Sequence, residues 1–527
     1  MIKGPFKQSF FWIFLLSLTT YLSEASEYDS LLKFNYLKFK SKDERVAFVE
    51  LKKNSETLLS IFLTPYLVGA GTDEAAARKK VDACVNELRL MIADKSEPKK
   101  VKAIYNEVHK VFFKVYKLEN SFCDIFSKGE YNCVSATALY AIIFSKLGIP
   151  YQIKEAPRHV YLITYPASYK IMIETTSPEG GYYQYNEDFA KKYVKTLVKS
   201  KLISPEEADT ASITRLLNIY LFSSEDISLL QLAGLQYNNF GIYYGEKKNY
   251  RFAIEEFKKA TYLYPSDRSR SMLKEALLFQ ISNNSYSNME QVYNLVALCY
   301  FNNRNKEDIT NEVVRIEFQK VIQAQLIDYS DYQKLDSSYS LIMSALEDTV
   351  LRNNISFDYN YELARTGLLS SKDSSYELSH FSAAYRANRN NINLQNMILS
   401  YLMIVTERSN NVSEILSMLR SFGRKYDFLQ DNNQFNTVKA NCLLEMSYRS
   451  YVVNDVLAGD VFIKEFEGLN SLQNELSFSD NFIERAYMTG AGIYYKKGNY
   501  AQSKQLVKTG LQYAPNSFNL KQMLKQF

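Results

Sequence analysis

The chain has 527 residues, three to four times the roughly 150 of an average domain, so a single small module is excluded. Its 63 Lys and Arg against 58 Asp and Glu leave a net charge of +5, which supplies no one-signed field for nucleic acid, and 46% hydrophobic residues suffice for globular cores. Eighteen Gly and 10 Pro exclude fibrous repeats and long disordered linkers, five Cys are too few for a disulfide scaffold, and a histidine base can only be His109, His159 or His380.

Residues 1–25, MIKGPFKQSFFWIFLLSLTTYLSEA, place Lys3 and Lys7 before an apolar run from Phe10 to Leu22, with the small residues Ser23 and Ala25 after it. That is the layout of a cleaved export signal, and its run of about 13 residues falls short of the roughly 20 that a spanning helix needs. No later run of about 18 uncharged residues follows. The sequence therefore predicts a periplasmic or extracellular protein, membrane-associated where the signal is retained and without an integral membrane segment where it is removed.

Residues 26–98 read as a helical prelude. Thr72 is placed to cap a helix whose first turn holds Asp73 and Glu74, and Val81, Cys84, Val85, Leu88 and Ile92 follow at helical spacing until Ser96 and Pro98 interrupt. Over 99–200 the pattern changes. A helix is expected from about 99 to 117, with Val101, Ile104, Tyr105, Val108, Phe112 and Val115 on one stripe. Cys133 then opens an apolar helical run that Gly148 and Pro150 stop. Two β-rich segments, 160–165 and 169–175, flank a turn at Pro166 and read as adjacent antiparallel strands. A helix followed by strands is an α+β unit. From about residue 200 onward the periodicity is helical, with no strand run.

Cys133 falls in the first turn of its helix, where unpaired N–H groups and the helix dipole favour a thiolate. His159 precedes one strand and Glu174 ends the next, so adjacent antiparallel strands can bring them together in the order nucleophile, base, orienting carboxylate. The stretch from Cys133 through Gly148, Ile149 and Pro150 to His159 and Glu174, with intervals of 26 and 15 residues, resembles the transglutaminase-like superfamily, a branch of the papain-like thiol enzymes. The resemblance covers about residues 100–185. Its members usually present aspartate where Glu174 stands, and often an aromatic residue where Val160 stands. It implies thiol-dependent acyl transfer, namely peptide or amide hydrolysis or transglutamination, with Cys133, His159 and Glu174 as catalytic residues.

Asn132 is a candidate oxyanion donor beside the backbone N–H of Cys133, and Arg158 is a candidate for meeting a substrate carboxylate. A buried Cys133, or one joined to Cys123 in a disulfide, is the inert alternative. His109 reads as a boundary residue on its helix and His380 as structural. No metal and no cofactor is expected, because Cys123 and Cys133 lack short ligand spacing and no nucleotide-binding glycine pattern follows a strand.

Residues 234–267 hold Tyr237, Phe240, Gly241, Tyr244, Tyr250, Ala253, Phe257, Ala260 and Pro265, and these offsets resemble the 34-residue tetratricopeptide repeat. A looser second unit has Tyr487, Ala491, Tyr494, Gly498, Tyr500, Ser503, Val507, Gly510 and Pro515. Between them, Asn-rich breaks at 283–288, 302–305, 388–393 and 432–436 read as turns between helices. The expected fold class is thus multidomain, a papain-like or transglutaminase-like α+β domain followed over 201–527 by an all-α tetratricopeptide-like superhelix. The resemblance implies that the superhelix holds a protein partner or the peptide or protein substrate. Nucleic acid is not expected. The runner-up is a protein-binding scaffold without catalysis.

Overall fold

The computed structural model describes residues 36–51, 58–65, 73–156, 159–176, 181–184, 187–199, 203–217, 219–220, 225–370, 374–471, 476 and 479–527. The export signal expected at 1–25, the cap expected at Thr72 and the candidate Arg158 lie outside them. The architecture is multidomain, a mixed α+β region with small sheets followed by a long all-α region. The chain divides into two compact units between Thr310 and Asn311.

In the first unit, helices α1 (Lys42–Glu50), α2 (Leu58–Leu63), α3 (Glu74–Ile92) and α4 (Glu97–Phe112) precede the sheets. Asp73 caps α3, its side chain accepting from the N–H groups of Ala75 and Ala76. Ser96 sits at the start of α4 with Pro98 in the first turn, where a missing N–H costs nothing. The helix stops at Phe112, five residues before the expected end. Val115, expected on its buried stripe, is instead exposed in β1 (Val115–Tyr116), which pairs in parallel with β2 (Glu130–Tyr131).

The short helix α5 (Asp124–Ser127) leads through β2 to α6 (Cys133–Leu147), which Gly148 ends in the left-handed conformation at φ +70°. Val134 through Phe144 are buried without interruption. A helix apolar on every side must be central, and α6 accordingly packs on α3, on the sheet and on the later helix Leu229–Glu246. Full burial of Leu139, Ile143 and Phe144 stabilises by roughly 1.5–3 kcal/mol each.

The main sheet has the order β6-β5-β4-β3-β7, antiparallel throughout, from β3 (Tyr151–Ala156), β4 (His159–Thr164), β5 (Ile171–Ile173), β6 (Tyr182–Gln184) and β7 (Glu225–Ile227). The expected hairpin around Pro166 is β4 and β5, joined by a turn in which Ser168 and Lys170 donate to the Tyr165 carbonyl. Val160 and Leu162 face the core with α6, whereas Tyr161 and Ile163 face α7 (Glu187–Lys199) on the other side.

Two strands depart from the sequence reading. In β3, Gln152, Lys154 and Glu155 mask the alternation. Strand β7 is three residues long with two acids, yet it pairs with β3 and sets Lys154 against Asp226 in an ion pair of 2.5 Å. The stretch read as wholly helical beyond residue 200 therefore supplies an edge strand to the α+β sheet.

The helices that follow, α8 (Leu229–Glu246), α9 (Tyr250–Leu263), α10 (Asp267–Gln280) and α11 (Met289–Arg304), each pack on the next. One apolar core joins α1 to α4, α6, the sheet and α8 and α9. This continuity explains why the first unit runs to Thr310 instead of closing near residue 200. Tyr237, Phe240, Ala253, Phe257 and Ala260 are all buried, and a Cβ added at Gly241 would run into the Phe257 ring.

The second unit, from Asn311, is helical throughout its described residues, with a core of its own. Its last hairpin joins helices Asp480–Lys496 and Tyr500–Tyr513, and Tyr487, Ala491, Ser503, Val507 and Gly510 are buried there. The Asn-rich breaks in both units are helix starts and ends as expected. Asn288, Asn391 and Asn432 each accept at a helix N-terminus, from Gln291, Leu394 and Phe435 respectively.

Candidate active site

Cys133 is held at the start of α6 by its neighbour. The Asn132 side chain accepts from the Ser135 N–H at 2.9 Å, and the Ser135 hydroxyl accepts from the Asn132 N–H at 3.0 Å, a reciprocal capping box. Ser135 Oγ donates in turn to Asn120 Oδ1 at 2.8 Å, and Asn120 Nδ2 donates to the Glu130 carbonyl at 2.7 Å, tying the helix start to β2. Asn132 Nδ2 donates to the Leu118 carbonyl at 3.1 Å. The Asn132 amide thus serves as cap and tether at the edge of the cavity. The other oxyanion candidate, the Cys133 N–H, lies in the first turn, where N–H groups have no intrahelical acceptor.

The sheet register brings the other two residues together. In the β4–β5 pair Leu162 lies opposite Ile173 and Thr164 opposite Ile171. Extended past the strand end, that register sets His159 across from Thr176, with Glu174 two residues along the same face. His159 Nε2 lies 2.7 Å from Glu174 Oε2. The other carboxylate oxygen accepts from the Thr176 hydroxyl at 2.6 Å and its N–H at 3.1 Å, so both oxygens are used. Meanwhile Thr137 Oγ1 donates to the Val160 carbonyl at 3.5 Å, keeping the first turns of α6 beside the beginning of β4. Cys133 and His159 line the same cavity, and with Nε2 engaged by Glu174 the remaining ring nitrogen is Nδ1.

The electrostatics follow from these partners. Burial opposes charging of His159, but the hydrogen bonds to Cys133 and Glu174 and the Glu174 charge outweigh it, and its pKa is pushed up to about 10. Burial likewise disfavours an ionised Glu174, yet His159 and the Thr176 donors hold the carboxyl below its ordinary range. Tyr116 in β1 feels the charges of both Cys133 and Glu174, and burial is the larger reason its phenol pKa is raised.

The cluster opens into a cavity of about 760 Å³, a size usual for ligand sites. Asn132, Cys133, His159 and Val160 line one side, and residues of α8, α9 and α10 line the other. Among the described residues none before Leu118 lines it, so the described part of the prelude stands clear of the cleft. Asn238, Tyr116 and Thr176 escape a reading of the sequence. Each matters through a neighbour distant in the chain, and no local signal marks any of them.

All five cysteines are free. Cys123 is buried with its sulfur 3.3 Å from Ser121 Oγ, so the alternative disulfide to Cys133 does not form. Cys133 is the one cysteine not fully buried. His109, expected at a boundary, is buried among Tyr105, Phe113, Tyr131 and Tyr140 with neither ring nitrogen hydrogen-bonded, and burial lowers its pKa to about 4. His380 is half-buried, with Nδ1 2.9 Å from Asn360 Oδ1. Among the described residues no group of three or more His, Cys, Asp or Glu side chains is placed to hold a metal ion, and no helix is long and apolar enough to cross a membrane. No protein-family model and no curated protein matches the chain.

Proposed function

We propose that the protein is an exported thiol-dependent acyl-transfer enzyme of the transglutaminase-like, papain-like kind, acting on a peptide or protein. The observation that carries this reading is that an imidazole 2.7 Å from a carboxylate lines the same open cleft as a partly exposed thiol. His159 Nδ1 takes the proton of the Cys133 thiol, and sulfur attacks an amide carbonyl. The Cys133 N–H donates to the resulting oxyanion. Collapse expels the amine, which takes its proton from His159, and leaves a thioester on Cys133. Water, deprotonated by His159, then releases the acid, or an incoming amine takes the acyl group. Glu174 orients the ring and stabilises its charge throughout. The helical hairpins are tetratricopeptide-like repeats that present a protein partner or the substrate.

A second reading is a protein-binding scaffold that has lost turnover. The Asn132 hydrogen bonds favour it, since they give that amide a structural task as cap and tether. Alkylation of the mature chain with iodoacetamide between pH 5 and 9 separates the two. An enzyme reacts at pH 6 at least tenfold faster than its His159→Ala variant. Equal rates over the whole range would leave only the scaffold.

A further inference from the structure

Resting on the acyl-transfer reading, we propose that the wall of the cleft opposite Cys133 selects a polypeptide segment bearing lysine or arginine, with Asn238 accepting an N–H from that segment.

The first observation is an unpaired acceptor. Asn238, on α8, is 1% exposed, and its Nδ2 donates to Ser269 Oγ at 2.8 Å, which fixes the amide. Its Oδ1 has no hydrogen-bond partner, although the residue borders the cavity. A buried carbonyl oxygen left without a donor costs free energy that a ligand N–H would return. The bound molecule must therefore offer an N–H at the α8 wall, as a peptide backbone does.

The second observation is charge. Four carboxylates border the cavity, Glu119, Glu155, Glu246 and Glu275, against two cations, Arg268 and the His159 imidazolium, which Glu174 outside the lining already pairs. Glu155 is already engaged, accepting from the Tyr264 hydroxyl at 2.8 Å and lying 4.0 Å from Arg268. Glu119, Glu246 and Glu275 carry no ion pair among the described residues. Low-dielectric walls around like charges concentrate the field and draw a cation in. Tyr243 and Met272 also line the cavity, and the Tyr243 ring already holds a cation, Lys247 Nζ 3.7 Å from its centroid. A lysine or arginine side chain suits this lining, its aliphatic stem beside Met272 and its charged head at the carboxylate rim. At about 760 Å³ the cavity is also larger than one side chain, which fits a segment of chain and not a free amino acid.

The test uses the reactivity of Cys133, because the other four thiols are buried; a Cys133→Ser variant gives the background. Modification rates are measured with 2-aminoethyl and 2-sulfonatoethyl methanethiosulfonate, a cation and an anion of similar size, and their ratio is divided by the same ratio for 2-mercaptoethanol. We expect a normalised ratio of about ten or more at low salt, falling about threefold in Glu275→Gln and in Glu246→Gln, and falling in wild type at 0.5 M sodium chloride, where the Debye length is a few ångströms. An acetyl-Ala-Lys-Ala chloromethyl ketone should inactivate wild type at least tenfold faster than the Glu analogue, and Asn238→Leu should slow both analogues at least fivefold relative to iodoacetamide, while Asn238→Asp, which keeps the acceptor, restores the lysyl rate. Spermidine should protect the thiol no better than salt of equal ionic strength.

A normalised ratio near one, an indifferent Asn238→Leu, or protection by spermidine matching that by the lysyl peptide would each overturn the proposal. Iodoacetamide, which is uncharged, reads the thiol alone. If its pH profile matches that of the His159→Ala variant while the charge preference stands, acyl transfer fails and the cleft assignment survives; the reverse pattern removes the cleft assignment only.

Discussion

Two ionic clusters in the first unit invite comparison. Around Lys259, Glu44 and Glu256, every charge is sealed from water, at 1%, 0% and 1% exposure. Lys259 Nζ lies 2.9 Å from Glu44 and 3.0 Å from Glu256, while Glu44 also accepts from the Tyr237 hydroxyl at 2.9 Å and the Lys40 N–H at 2.6 Å. In the Cys133 cluster, the side chains of His159 and Glu174 stay 33% and 19% exposed and open onto a cavity. The first arrangement ties α1 to α8 and α9, and its groups have nowhere to send a proton. The second keeps a proton path and room for a reactant. Full burial with ion pairing marks structure, whereas partial burial beside open space marks chemistry.

Breaking the sealed cluster should have the largest effect. Lys259→Met leaves Glu44 buried without its cation and Glu256 with Lys40 Nζ alone, 3.1 Å away, and breaking a buried pair in this way typically costs about 3–5 kcal/mol. Urea unfolding followed by the tyrosine signal should show an early transition for the first unit. Adding Glu44→Leu and Glu256→Leu should recover much of the loss, because a packed apolar set of similar volume can replace a buried ion cluster at little net cost. Failure of the single variant to shift the transition would place the stability of this junction in the surrounding apolar core alone.

His109 is the intermediate case, buried like Lys259 but without a partner. Its folded pKa of about 4 lies below the ordinary 6.5, so the neutral ring contributes stability above pH 6.5 that is lost as pH falls toward 4. At about 1.36 kcal/mol per unit, the loss is at most about 3 kcal/mol. His109→Phe should flatten the dependence of the unfolding midpoint on pH over that window while changing it less at pH 8. A variant with the wild-type slope would assign the acid sensitivity to other groups.

Much of the geometry was readable from sequence where a rule is local. Gly148 and Pro150 ended α6 where they stood, the Asn-rich breaks became caps, and the turn at Pro166 brought β4 beside β5. From that hairpin alone, His159 and Glu174 could be paired. Strand β3 was hidden by its own polar residues, because Lys154 is buried through an ion pair with Asp226, a partner 72 residues away that periodicity cannot supply. The wall opposite Cys133 was hidden for a related reason. Asn238 sits in an apolar helical run, and its unused oxygen becomes visible only once α8 is laid across the cleft.

Within the open cluster, Glu174→Gln should be the strongest change. It removes the charge that helps hold the His159 proton, and iodoacetamide reactivity at pH 6 should fall about tenfold, or about 1.4 kcal/mol. Stability should respond differently from the sealed cluster. The raised His159 pKa contributes stability that is full below pH 6.5 and lost as pH climbs toward 10, and the lowered Glu174 pKa contributes stability that is present above pH 4.5 and lost below it. The pair therefore stabilises most between about pH 4.5 and 6.5, and Glu174→Gln should destabilise most in that window.

Thr176 tests how finely that carboxylate is held. Its hydroxyl and N–H both donate to Glu174 Oε1, which leaves Oε2 aimed at His159. Thr176→Val keeps shape and the backbone donor but removes the shorter bond, so the carboxylate gains freedom to rotate and the histidine loses part of its orientation. A neutral hydrogen-bond donor to a charged group contributes about 1.5–3 kcal/mol when fully buried, and less at this half-exposed site. Reactivity at pH 6 should therefore drop only about two- to fivefold, with the pH profile displaced toward that of Glu174→Gln. Thr176→Ser, which restores the hydroxyl, should return both rate and profile. A Val variant slowed equally at every pH would make Thr176 a packing residue and leave the aim of Glu174 to the strand register alone.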